Sequence, residues 1–436
     1  MSQLFCGIDW AEDHHDVALV DDTGRVEAQL RIGDDADGYR QLVDLLADHG
    51  DTPQDPIPVA IETGRGLLVA CLHATGRAVY AINPLAAARY RERHAVSRRK
   101  SDADDAIILA NILRTDAHAH RPIPMNTALA QAITVLARAQ QDAVWNRQQV
   151  VNQLRSHLRE YYPAALQAFQ HQANGGLARA DPRAILAAAP TPSHAAKLTR
   201  SQLRAALKRS GRSRDFDTAI DRIQAVFRSH YLRHRPQVEA AMGHQMLALL
   251  RQLDAACAAA DDLAAATIAQ FDNHPDANIL RSFPGLGPLT AARVLAEIGD
   301  DRTRFTDARA LKAYAGASPV TRASGKSRVV AHRHIKNQRL AHAGFLWALS
   351  SLRASSAANA HYRRRRDHGD GHAQAQRHLF NKFLGQLHHC LHTNQLYNEA
   401  HAFRPPAPGG GLTFQTMRCL SRPRRKHRRP RPRRDR

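Results

Sequence analysis

Three short runs of strand-like character, residues 4–9, 15–21 and 25–32, follow one another near the start of the chain, separated only by turn signals, the last being Asp22-Thr23-Gly24. Runs of this length, punctuated by Gly and Asp, read as strands. A helical stretch over 36–48 follows, then a compact apolar strand at 57–61, a helix at 66–75, a strand at 78–82 and further helices after Pro84. Three adjacent strands followed by alternating helices and strands call for an α/β domain on a mixed sheet.

An RNase H-like domain over 1–120 suits that order, and its acidic residues fall where such a fold does chemistry. Asp9 ends the first strand, in Cys6-Gly7-Ile8-Asp9-Trp10, and Glu62 ends the fourth, in Val59-Ala60-Ile61-Glu62-Thr63-Gly64. Carboxylates at the C-terminal ends of strands point out of the sheet edge, where ligands bind. Asp102 and Asp105 open a helix, and their i, i+3 spacing puts both on one face. Hard cations take oxygen ligands, so four converging carboxylates suit a pair of Mg²⁺ or Mn²⁺ ions. Two ions about 3.5–4 Å apart stabilise both the attacking and the leaving oxygen of phosphoryl transfer. Taken singly the same acids have a plainer reading, as helix N-terminal residues favoured by the macrodipole or as a turn aspartate.

The middle of the chain, 121–272, has a different rhythm. Leu129, Ile133, Leu136, Gln140, Ala143, Arg147, Val150, Leu154 and Tyr161 mostly keep a spacing of three to four, and Met242, Met246, Leu249, Leu253, Ala256, Ala260, Leu263 and Thr267 keep it more cleanly. Two such segments make either an antiparallel coiled-coil-like arm or ordinary core-facing helices of a bundle. Helical sequence resumes over 273–403, with one sharp interruption. The Pro/Gly stretch after Phe403 links to a basic tail, so 404–436 is expected to be disordered.

Charge decides the class of partner. The 436 residues carry a net +22. The last 15 hold ten Lys/Arg and one Asp, yet the remainder still keeps about +13 of that +22. Such an excess calls for an anionic partner, and nucleic acid fits. The five cysteines form no CxxC pair, so neither a disulfide framework nor a cysteine zinc site is expected. His388, His389 and His392 beside Cys390 sit on one helix and point in different directions, which disfavours zinc there too. With no apolar run of membrane-spanning length, we expect a soluble cytoplasmic protein and no membrane partner.

Two elements of the C-terminal half bear on DNA. Ser282-Phe283-Pro284-Gly285-Leu286-Gly287-Pro288 has the form of a helix-hairpin-helix turn, in which Gly285 and Gly287 leave backbone N–H groups bare for a phosphate. A purely structural helix–helix turn is the alternative. Downstream, Ser324-Gly325 stands among Arg322, Lys326, Arg328 and Lys336. A hydroxyl in that setting can approach a phosphate, although on residue chemistry alone Ser324 reads as a turn serine.

Together these blocks make the sequence resemble the insertion sequence 110 family of DEDD transposases. The N-terminal half resembles it through Gly7-Ile8-Asp9 with His14 or His15 behind, Glu62-Thr63-Gly64 before Asn83-Pro84, and Lys100-Ser101-Asp102 with Asp105-Ala106. The other half resembles it through Pro284-Gly285-Leu286-Gly287, Ala296-Glu297-Ile298-Gly299-Asp300, Ala313-Tyr314-Ala315-Gly316 and Ser324-Gly325. The resemblance implies a RuvC-like domain whose DEDD carboxylates are Asp9, Glu62, Asp102 and Asp105. It makes Ser324 the nucleophile that joins transiently to DNA, and it implies guidance by a noncoding bridge RNA. Active sites composed of residues from two protomers would require a homo-oligomer, a dimer or tetramer. Two other readings keep the same basic surface: a RuvC-like nuclease that uses water in place of Ser324, and a degenerate, non-catalytic DNA-binding protein.

Overall fold

A computed structural model of the chain describes residues 3–94, 102–169, 176–325 and 327–403. Strands β1 (Phe5–Trp10), β2 (His14–Val20) and β3 (Val26–Gly33) form an antiparallel meander. Helix α1 (Ala36–Asp48) leads to β4 (Val59–Ile61), then α2 (Leu67–Ala74) to β5 (Val79–Ala81), and both strands run parallel to β1. The sheet order is therefore β3-β2-β1-β4-β5. The strands lie within a residue or two of their expected places.

Helix α3 (Pro84–His94) precedes α4 (Asp102–Asp116), which lies directly on β1. Gly7 is what permits this. A Cβ there would come within 2.0 Å of the Ala106 carbonyl and 2.5 Å of the Ala110 nitrogen. Phe5, Val20, Ala60, Ile82, Leu109 and Leu113 bury this face, while Ile8, Val17, Leu19, Leu42 and Leu72 bury the other against α1 and α2. Each fully buried apolar side chain contributes roughly 1.5–3 kcal/mol.

Two long helices follow the domain, α5 (Ala128–Tyr161) and, later, α11 (Pro236–Asp272). They run antiparallel: the Gln140 amide donates to the Ala260 carbonyl at 3.4 Å, and His157 Nε2 lies 2.8 Å from the Met242 carbonyl. The segment between them is helical as well, within the region that the sequence left open as an arm or as part of a bundle. Among the described residues, five short helices, α6 (Pro163–Phe169), α7 (Ala180–Ala188), α8 (Pro192–Lys197), α9 (Arg200–Arg209) and α10 (Phe216–Phe227), pack with α5 and α11 around one core that includes Tyr162, Phe169, Ile185, Leu203 and Ile220.

The last part contains α12 (Ala277–Arg281), α13 (Pro288–Ile298), α14 (Ala308–Tyr314), α15 (Gln338–Ala354), α16 (Ser356–Asp367) and α17 (His372–Thr393). Trp347, fully buried, stacks on Phe383 at 4.9 Å and meets Phe283 edge-on. The interruption in this helical sequence is a β-hairpin, β6 (Val320–Ser324) and β7 (Ser327–Ala331), where the sequence had suggested only a turn. Its side chains are nearly all exposed, so no buried alternation marks it as strand. The chain divides after Tyr397; the unit beginning at Asn398 contributes one described helix, α18 (Glu399–Ala402), capped by the Asn398 side chain.

Candidate active site

Register along the sheet brings the acids together. Ile8 pairs with Ile61 in the parallel β1–β4 ladder, so Asp9 and Glu62 leave adjacent strands at the same end. Gly7 seats α4 on β1, which carries the α4 N-terminus, with Asp102 exposed and Asp105 buried, to that end of the sheet. Burial, and then the charges of Asp105, Glu62, Asp102 and Asp16, push the Asp9 carboxyl up to about 6. The other three carboxylates predicted from the sequence are therefore within electrostatic reach of Asp9. Like charges held this close disfavour ionisation unless a cation offsets them.

Asp105 is already partnered, by the guanidinium of Arg91 on α3. A residue outside the sequence-derived set also belongs here. Asp16 stands opposite Asp9 across the β1–β2 ladder and accepts from Arg31 through both its oxygens, at 3.0 Å each. His14 Nε2 lies 3.8 Å from Asp16. One ligand atom each from His14, Asp16 and Asp102 falls within 4.8 Å of the others. The signal for Asp16 was a carboxylate between His15 and the apolar run Val17-Ala18-Leu19-Val20; its position opposite Asp9 required the register.

The C-terminal candidates sit elsewhere. Ser324 is exposed at the end of β6, paired with Ser327 across the hairpin turn. Among the described residues no hydrogen bond or ion pair joins it to the acids. Arg322 and Arg328 are exposed on the same hairpin, and Lys326 lies outside the described residues. Lys336 donates to His332 Nε2 at 2.9 Å. The two turn glycines differ: Gly285, at φ +73°, packs against the backbone of Ser350 and Ser351, while Gly287 is open and caps α13.

Comparison with known proteins places the chain in a family. A transposase family of the IS110 DEDD type matches residues 6–163, and the family described as "Transposase IS116/IS110/IS902 family" matches 277–363. The "Mini-circle putative transposase for IS117" of Streptomyces coelicolor is 68% identical over 402 residues, 92% of this chain and 97% of that protein.

The chain belongs to the IS110/IS116/IS902 transposase family.

More distant relatives span it as well. The "Insertion element IS900 uncharacterized 42 kDa protein" of Mycobacterium paratuberculosis is 28% identical over 91% of this chain and 98% of its own length. Membership of this transposase family makes the protein a DNA-processing enzyme of an insertion sequence, and so DNA-binding. Among the described residues no helix is long and apolar enough to cross a membrane.

Proposed function

We propose that this transposase cleaves and exchanges DNA strands at an RNase H/RuvC-like DEDD centre, with Ser324 as nucleophile. The observation that carries the proposal is the convergence of Glu62, Asp102, Asp105 and Asp16 on Asp9, which lifts its carboxyl to about 6. A donor set of carboxylates with one imidazole suits Mg²⁺ or Mn²⁺, hard ions that prefer oxygen. Asp9, Glu62, Asp102 and Asp105 would hold them, with His14 and Asp16 beside them. When bound, such ions offset the charge that develops on a phosphate in transfer.

The residues divide the work. Asp9 and Glu62 fix the site to the rigid sheet, and α4 brings Asp102 and Asp105 over it. The Ser324 hydroxyl forms an Oγ–P bond as one P–O bond of the DNA breaks. The serine proton is lost to water, and the displaced oxygen leaves as a DNA hydroxyl after taking up a proton. Attack by that hydroxyl, or by another, on the phosphoserine restores Ser324. Because Ser324 is exposed and has no described contact with the acids of its own chain, we assign it to a site completed by another protomer, in a dimer or tetramer. Guidance by a noncoding bridge RNA, and residence in the cytoplasm, belong to the same reading.

The test is a denaturing-gel assay for covalent protein–DNA product, with purified protein, donor DNA and RNA transcribed from the flanks of the element. Wild type should give an adduct that disappears in Ser324→Ala and in Asp102→Ala. Free cleaved ends that persist in Ser324→Ala and vanish in Asp102→Ala would make it a nuclease that uses water.

A further inference from the structure

At the foot of the β6–β7 hairpin, between α15 and α17, lies a cavity of roughly 140 Å³ that the chemistry above does not use. Its walls are largely apolar, and Phe345 and Phe380 supply aromatic rings. On its α17 side stands Gln376, only 2% exposed. Among the described residues neither the oxygen nor the nitrogen of its amide has a hydrogen-bond partner. A buried amide with both ends unsatisfied is costly, so such groups are rare without a partner or a ligand.

The rim has the opposite character. Lys336, Arg377 and His332 line the same cavity. Burial first, and then the neighbouring charges of Lys336, Arg377 and His334, hold His332 below its usual range. An apolar, ring-lined slot with one donor and one acceptor at its wall and a cationic rim matches the chemistry of a nucleotide. The rings offer stacking, the amide matches a base edge, and the cations match a phosphate.

We propose that this cavity receives one nucleobase unstacked from DNA, with the Gln376 amide bonding its edge and Lys336 and Arg377 holding the neighbouring phosphate. DNA is favoured over RNA because His332 on the cavity's rim directly follows β7 of the hairpin that carries Ser324; the inference rests on that reading of the serine. From Val320 to Ser324 the strand spans about 13 Å, so a base seated here would fix the strand a few nucleotides from the attacking hydroxyl.

The experiment is a titration of the full chain, at low salt, into duplex DNA carrying 2-aminopurine opposite a mismatch, which lowers the cost of extrusion. Emission should rise several-fold with wild type. The rise should be lost in Gln376→Leu, which keeps the size and removes the amide. It should also be lost in Ala373→Phe, placed at an exposed position of α17 that lines the mouth. Both variants should bind fully paired duplex within about twofold of wild type by anisotropy. Duplex binding without any rise in wild type overturns the base pocket and leaves DNA binding intact. No duplex binding at all removes the reading on which the pocket rests. A rise that survives in both variants places the base elsewhere, and a rise seen only with an RNA strand overturns the choice of DNA.

Discussion

Asp9 and Asp16 face each other across the antiparallel ladder between β1 and β2. Like charges directly opposite in a sheet are destabilising. Arg31 restrains one of the two, and Asp9 is left among four other carboxylates. The sheet thus carries a local instability that a bound cation would relieve.

The first prediction follows from the sign of that instability. A carboxyl raised to about 6 keeps its proton in the folded protein where the unfolded chain, near 3.8, has lost it. The folded state binds more protons, so stability without metal falls as pH rises from about 4 to about 6. Asp9→Asn should therefore stabilise the metal-free protein at pH 7 by roughly 1 kcal/mol, after allowance for solvent screening, and flatten its stability over that window. Urea unfolding in EDTA at pH 4.5 and pH 7 measures both. A variant less stable than wild type at pH 7 would contradict it.

Adding Mn²⁺ to EDTA-treated protein should raise its Tm. An ion at one hundred times its Kd stabilises by about 2.7 kcal/mol, a few degrees in a chain of this size. Asp9→Asn and Asp102→Asn should abolish the increase, and Asp16→Asn should reduce it. An unchanged increase in all three variants would place the ion away from these residues.

Glu297 should show the opposite pH behaviour. It is 3% exposed and accepts from Arg138 through both oxygens, at 2.8 and 2.9 Å, and from Asn337 at 2.6 Å. Burial alone would raise its carboxyl, but the hydrogen bonds from Arg138 and Asn337 outweigh burial and hold it below the usual value. Its contribution is present above the unfolded value of 4.5 and is lost as pH falls through the lower folded one. Glu297→Ala leaves Arg138 unpaired and should cost about 2–3 kcal/mol in denaturant unfolding at pH 7, with a smaller cost at pH 3.

How much of this was legible in the sequence depends on how each residue announces itself. The meander and the parallel strands were readable because tight turns and short apolar runs fix them locally. Asp9, Glu62, Asp102 and Asp105 stand where local pattern meets a strand end or a helix start. Asp16 was missed because its role depends on register, which no single run of residues specifies. Helices α6–α10 were not legible one by one within a region read only as helical, because the long flanking repeats dominated the pattern; the core they share with α5 and α11 closes only in three dimensions. The hairpin around Ser324 carries no apolar alternation, so nothing in its side chains declared it a strand. Gln376 shows the same gap, since an amide inside a helix is unremarkable until its surroundings are known.

The two glycines of the turn before α13 separate packing from access. Gly285 holds φ +73°, and a Cβ there would lie 2.4 Å from the Ser351 nitrogen. Gly285→Ala combines left-handed strain with a clash against helix backbone, so about 2–3 kcal/mol of stability should be lost. A Cβ on Gly287 meets nothing within 4 Å, and its φ of −68° suits any residue. Gly287→Ala should then cost under about 1 kcal/mol, the difference between Gly and Ala at a helix N-cap. If the turn holds a DNA phosphate, the added methyl at this exposed position should weaken duplex binding at low salt while the fold persists. Denaturant unfolding and anisotropy on the same two variants read both effects. Unchanged duplex affinity in Gly287→Ala would leave the turn a packing element, with DNA held by the cationic hairpin and its neighbours.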